Sequence, residues 1–162
     1  MNYRIRKSKE SDLEDLLDLT IAAFKPIFDS FKKILGPFIF PVLYPDWQET
    51  QRKIVLDALQ DKNIHFYVAE VNEKVVGLIT YILHENKHGE VHFLAVHPDH
   101  QNLGIGTTLN LFVLEKFMEA GMIMAEVGTG GDESHAPARK AYEKAGYTGL
   151  PIVRYYKKLG EV

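Results

Sequence analysis

Between Gln101 and Thr107 the chain reads Gln-Asn-Leu-Gly-Ile-Gly-Thr, after an apolar run that ends at Val96 and before a stretch with helical periodicity. Two glycines one residue apart, where a helix must begin, leave the backbone uncovered. The first amides of a helix have no intrahelical acceptor, and the helix dipole places about half a positive charge beside them. Small residues let a large anion come close, so Gln101, Asn102, Leu103, Gly104, Ile105, Gly106 and Thr107 read as a phosphate cradle. A tight strand-to-helix turn would use the same glycines. Two familiar fingerprints fail here. A dinucleotide-binding loop needs a third glycine at the position of Leu109, and a Walker loop needs a lysine after Gly106, where Thr107 stands.

Titratable side chains cluster just upstream. In Glu90-Val-His92-Phe-Leu94-Ala-Val96, strand alternation predicts that Glu90, His92, Leu94 and Val96 share one face. Five of the seven histidines lie between positions 84 and 100. The spacing of His84, His88 and His92 would suit zinc on a helix. The segment reads as a hairpin and strand, which sets His88 and His92 about 13 Å apart, and no metal is expected.

These residues need a frame. Tyr3 and Ile5 alternate in a first strand over 2–7, and Ser11-Asp-Leu-Glu14 fits a capping box that starts a helix. Pro26 is expected to interrupt or kink that helix. Residues 27–45, with prolines 37, 41 and 45 and phenylalanines 28, 31, 38 and 40, read as too broken for one long helix. Asp46-Trp-Gln-Glu49 opens a second helix. Strands follow over 65–71 and 75–83, joined by a hairpin turn at 72–74, and over 89–98. After the glycine loop come a helix to about Gly121, a strand over 122–127, a helix over 134–145 and an alternating tail, 151–159, expected to add a last strand. Antiparallel neighbours followed by a helical crossover predict an α/β fold, a mixed, mostly antiparallel sheet with helices on both faces.

At 162 residues, with 46% hydrophobic and 25% charged residues, the chain reads as one soluble domain. The net charge of −3 argues against nucleic acid as a partner. The charged N-terminus and the lack of a long apolar stretch predict neither signal peptide nor membrane contact, and a cytoplasmic location. There is no cysteine, so a cysteinyl acyl-enzyme is impossible.

Two ordered motifs resemble one family. Val96-His-Pro98 followed by Gln101-x-x-Gly104-x-Gly106 is similar to the coenzyme A signature of the GNAT acetyltransferases (GCN5-related N-acetyltransferases). Ala138-x-x-x-Tyr142-x-Lys144-x-Gly146-Tyr147 is similar to the family's closing pattern. The likeness in element order runs from about residue 65 to the end.

The resemblance implies acetyl-CoA as co-substrate, lying where the strands 89–98 and 122–127 splay apart. Its pyrophosphate would rest on Gln101 to Thr107 and its pantetheine arm along Leu94, Ala95 and Val96, with a backbone N–H near Val96 polarising the thioester carbonyl. Tyr142 matches the family's proton donor to the departing thiolate; its phenol, with a reference pKa near 10, is protonated at neutral pH. Glu90 matches the glutamate that deprotonates the amine in histone-type members, and His92 is the alternative base. The family often carries an asparagine at the position of His135, so His135 must replace that contact with coenzyme A or lose it. Arg139 either approaches the adenosine phosphate or faces solvent. Phenylalanines 28, 31, 38 and 40 and Tyr44 line an acceptor cleft or pack a core or dimer contact.

The implied activity is direct acetyl transfer to a primary amine of a small molecule or protein, with a homodimer as one possible assembly. Two rivals remain at this point: a coenzyme A-binding module without turnover, and a nicotinamide-dependent oxidoreductase.

Overall fold

The computed structural model describes residues 3–160; Asn2, part of the first predicted strand, lies outside them. Five strands form one sheet in chain order: β1 (Arg4–Lys7), β2 (Ile64–Val71), β3 (Lys74–His84), β4 (His88–Val96) and β5 (Met124–Val127). All neighbours are antiparallel except β4 and β5, which are parallel. Helices α1 (Leu13–Leu43) and α2 (Trp47–Gln60) pack Leu16, Leu19, Val55 and Ala58 against Phe66, Val68, Leu78 and Ala95. Helix α3 (Ile105–Glu119) carries Ile105, Leu109, Val113 and Phe117 on one four-residue stripe and lays it on Ala69, Ile79, Tyr81 and Val91. Helix α4 (Ala136–Lys144) comes last. The expected architecture, helices on both faces of a mostly antiparallel sheet, is the one observed.

The hairpin between β2 and β3 turns on Asn72 and Glu73, both with positive φ (49° and 64°), the geometry that matches strand twist in a two-residue loop.

Residues 27–45 are more helical than their prolines suggest. The helix runs through Pro26, breaks at Gly36 (φ 72°, ψ −178°) and resumes to Leu43. Pro37 opens the second piece, where its missing N–H would have been unpaired anyway. A proline inside a helix costs about 3 kcal/mol. Here aromatic burial offsets it. Phe28 is buried, stacks on Trp47 of α2 at 4.4 Å, and meets Phe31 and Tyr44 edge-on. Each such ring contributes about 1.5–3 kcal/mol when fully buried.

The tail does not form the expected last strand. Leu150, Ile152, Val153, Tyr155 and Leu159 are exposed and pair with nothing in the sheet. Pro151 removes a donor, and the adjacent apolar pairs Ile152-Val153 and Tyr155-Tyr156 break the period of two. No single face collects the apolar side chains.

One irregularity matters for function. Thr80 pairs with Phe93 and Tyr81 with Val91, so His92 is left out of the ladder as a bulge. The extra residue inverts the alternation: Val91, Leu94 and Val96 pack on the α3 side, and Phe93 and Ala95 on the α1 side. The expectation that Glu90, His92, Leu94 and Val96 share a face is therefore overturned. Glu90, next to Val91, points to the α1 side, opposite Leu94 and Val96.

Candidate active site

β4 and β5 pair over four residues only, from His88 with Met124 to Val91 with Val127. Beyond that β5 ends while β4 continues, and a cleft of about 380 Å³ opens. Leu94, Ala95 and Val96 form its strand side. Gln101, Asn102, Gly104, Ile105, Gly106 and Thr107 form one end, and His135 and Tyr142 contribute from the α4 side, with Phe24 and Ile27 from α1. Leu103 is exposed and lies outside the lining, and the half-buried Arg139 lies outside it too.

The glycine loop turns on two left-handed residues, Asn102 (φ 60°) and Gly104 (φ 81°). The first backbone bond of α3 runs from the Thr108 amide to the Gly104 carbonyl at 2.9 Å, so the amides of Ile105, Gly106 and Thr107 have no helical acceptor. No acidic residue lies in this first turn and no side chain caps it. The two glycines differ in kind. Gly104 is required by its φ. At Gly106 a Cβ would meet only the Val96 Cγ2 methyl at an ordinary 3.6 Å, so neither turn nor packing demands glycine there. Its bareness keeps the amides open to an approaching group. The Gln101 side-chain amide donates to the Val96 carbonyl at 3.0 Å and ties the loop to the end of β4.

Tyr142 is 9% exposed at the cleft wall. Burial, with the neighbouring Tyr147, pushes its phenol up to about 12. The Tyr147 hydroxyl donates to Asn110 Oδ1 at 3.2 Å, and Asn110 is itself buried in the lining. Sequence reasoning missed Asn110; its one signal is a polar residue beside the apolar stripe of α3.

His135 stands at the start of α4 with its ring along Phe31. Its Nδ1 lies 2.5 Å from Asp132 Oδ1. Arg139 turns back to the loop and donates to the carbonyls of Gly130 and Asp132, at 2.7 and 2.6 Å. Glu90 and His92 do not line the cleft. Glu90 is bonded to His84 Nε2 at 2.8 Å, and His92 sits on the bulge, 3.8 Å from Glu90. The rings of His84 and His88 stack at 5.1 Å.

The sequence profile described as the acetyltransferase (GNAT) family matches residues 28–147. This chain belongs to the GNAT family. It is an acetyl-CoA-dependent N-acetyltransferase by that membership, and its relatives agree. An N-alpha-acetyltransferase of Sulfurisphaera tokodaii is 25% identical over 98% of this chain and 88% of its own length. The mycothiol acetyltransferase of Thermomonospora curvata is 33% identical over 56% of this chain, a stretch that spans only 30% of that longer protein. In the crystal structure of PaiA N-acetyltransferase from Thermoplasma acidophilum in complex with coenzyme A, the GNAT fold superimposes with a TM-score of 0.69 at 19% identity, covering 91% of both chains. Among the described residues of this GNAT protein, no helix is long and apolar enough to cross a membrane.

Proposed function

We propose that the protein transfers the acetyl group of acetyl-CoA directly to a primary amine bound in the cleft beyond Val91 and Val127. The observation that carries this reading is the row of amides without helical acceptors, Ile105 to Thr107, opening on the same cleft as the strand end Leu94–Val96 and the buried Tyr142. The amides suit a diphosphate. A thioester arm laid along Leu94–Val96 brings its carbonyl to the free strand edge, where a backbone N–H near Val96 stabilises the oxyanion that forms on attack.

The neutral amine nitrogen attacks the carbonyl carbon, the C–S bond breaks, and its electron pair leaves with sulfur. The Tyr142 phenol protonates the thiolate, and the proton of the new amide nitrogen passes to a base. A donor that stays protonated in every neutral buffer suits the first of these roles.

Two relatives bear names that specify the amine: the N-alpha-acetyltransferase above and the S-(2-succino)cysteine N-acetyltransferase of Bacillus subtilis, 29% identical over 91% of this chain. Alpha-amines of amino acids and of peptide N-termini are therefore the acceptors to try first. The test pairs calorimetric titration with coenzyme A against thiol release from acetyl-CoA over that amine panel. Stoichiometric binding with amine-dependent thiol release is expected. Binding without turnover on any amine would leave a coenzyme A-binding module and overturn the proposal.

A further inference from the structure

We infer that His135, held by Asp132, is the base that takes the proton from the attacking amine. The inference rests on the transfer reading above and names a residue for the proton that reading leaves unassigned.

The geometry is that of an oriented imidazole. Asp132 Oδ1 faces His135 Nδ1 at 2.5 Å. The other oxygen accepts from the Ser30 hydroxyl at 2.7 Å, across from α1, and from the Ser134 amide at 3.2 Å and the Ser134 hydroxyl. The carboxylate is 10% exposed and the imidazole 14%. Burial alone would raise the Asp132 carboxyl, but the donors Ser134, Ser30 and His135 outweigh it and hold the group well below the usual carboxylate range. It therefore stays an anion, and the Nδ1 proton belongs in the bond to it. That fixes the tautomer with a lone pair on Nε2. Nε2 makes no hydrogen bond among the described residues, and the ring lines the cleft.

The loop around this pair is built to its shape. A Cβ at Gly130 would collide with His135 Nδ1 and come within 2.7 Å of Asp132 Oδ1, so only glycine leaves room for the contact. Arg139 clamps the carbonyls on either side of Gly131. Phe31 holds the ring face. A residue that only touches a pantetheine amide needs none of this; a neutral carboxamide would serve. A buried carboxylate is costly to desolvate, and what it provides is a fixed tautomer and stabilisation of the imidazolium once a proton arrives.

Position agrees. His135 stands just before α4 and Tyr142 seven residues on, about two turns and 10 Å along the axis, so base and acid flank the space where nitrogen, acyl carbon and sulfur must line up. In the step itself Nε2 accepts the amine proton as the N–C bond forms. The C–S pair leaves with sulfur, Tyr142 protonates it, and imidazolium and phenolate then exchange their proton through solvent. The groups around the imidazole are Asp132 and Arg139, of opposite charge, the hydroxyls of Ser30 and Ser134, the adjacent Glu133, and Tyr142 farther along the helix.

The test compares wild type, His135→Gln and Asp132→Asn with the best amine of the acceptor panel. For His135→Gln, kcat/KM should fall by about 10²–10³-fold while coenzyme A affinity by calorimetry stays within about threefold. Both proteins need the neutral amine, so both rates should rise together as the amine loses its own proton, and the gap between them should persist above neutral pH. Asp132→Asn should fall between the two. Independently, ¹⁵N ring spectra of wild type saturated with coenzyme A should show His135 protonated on Nδ1 and bare on Nε2.

The base assignment is overturned by an Nε2-protonated ring, by His135→Gln retaining turnover, or by a loss of coenzyme A affinity that accounts for the whole drop. It is equally overturned if Glu90→Gln abolishes turnover and His135→Gln does not. Failure of the transfer reading shows elsewhere, as a wild-type protein with no amine-dependent thiol release.

Discussion

Val91 and Val127 are the last paired residues of β4 and β5, and His92, the next residue of β4, is skipped by the ladder on the other side. One inserted residue thus does two things. It marks the place where the parallel pairing stops, at the end of β5, and where the cleft begins. It also turns Leu94 and Val96 onto the α3 face, beside the helix whose first amides lack acceptors. Strand edge and helix start become the two banks of one channel, and the consequences can be measured separately at each bank.

At the helix bank, Gly106→Asp separates binding from folding. The position has no positive φ, and a Cβ there meets only an ordinary 3.6 Å neighbour, so the backbone accepts a residue other than glycine. A carboxylate in the first turn of a helix is stabilising by about 0.3–1 kcal/mol. The same charge would occupy or repel whatever anion the amides attract. The melting temperature should hold or rise while coenzyme A affinity falls by about 100-fold or more, roughly 3 kcal/mol of binding. A variant that binds coenzyme A normally by calorimetry would show that the diphosphate rests elsewhere.

At the acid, Tyr142→Phe keeps the buried ring and its edge contact with Tyr147 and deletes only the hydroxyl. Stability and coenzyme A affinity should stay close to wild type while kcat drops by about 10²-fold. The pH dependence carries the sign. A phenol raised to about 12 remains protonated throughout the neutral and mildly alkaline range, so the wild-type profile of kcat should show no falling limb below about pH 10. An alkaline limb near pH 8 that vanishes in Tyr142→Phe would contradict the raised phenol, and an unchanged kcat in the variant would contradict the donor assignment.

Where the sequence spoke clearly, it did so through local chemistry with a fixed spacing. The glycine loop announced itself because Gly104 must adopt φ 81° and Gly106 is bare without a packing reason. The amphipathic stripe of α3 and the turn at Asn72-Glu73 were legible for the same reason: each is decided by residues a few positions apart. What could not be read were the places where distant contacts overrule local preference. Prolines 26, 37 and 41 argue for a broken segment, and α1 does break at Gly36, but that it runs on through Pro26 shows only in the packing of Phe28 on Trp47 of the next helix. Strict alternation assigned Glu90 and Val96 to one face, and a bulge that only the register with Tyr81 specifies put them on opposite faces. His135 stood out as a departure from the family's usual asparagine, but its pairing with Asp132, three residues earlier, depends on the coil of a loop whose glycines conceal it. The tail misled through composition: it has enough apolar residues for a strand but not the order.

Packing between strand and helix gives a prediction independent of the site. Gly89 lies directly under Phe117, and a Cβ at position 89 would approach the ring to 2.6 Å. Because the aromatic ring is rigid and buried, Gly89→Ala should destabilise the fold by about 1–3 kcal/mol through overpacking. Phe117→Leu alone should also cost stability by leaving space. The double variant should recover part of both losses, a coupling visible in denaturant midpoints as a departure from additivity. Strict additivity would mean that the two residues are not in contact.

Acid should attack the molecule first where β1, the start of α1 and β2 meet. Arg6 donates to both Asp12 oxygens, at 2.7 and 2.8 Å, and to Glu70 at 2.6 Å, with Asp12 and Arg6 largely buried. The hydrogen bonds from Arg6 are the main cause that lowers both carboxyls, against the opposing effect of burial. The folded state then binds fewer protons than the unfolded chain around the ordinary values of 3.8 and 4.5, so this stabilisation is complete above about pH 5 and drains away as pH falls. Asp12→Asn leaves a buried guanidinium with one of its two charge partners and should cost about 3 kcal/mol at pH 7. Urea midpoints at pH 7, 5, 4 and 3 should converge for wild type and variant as acid removes from one what mutation removed from the other, and parallel curves would locate the acid sensitivity in some other carboxylate.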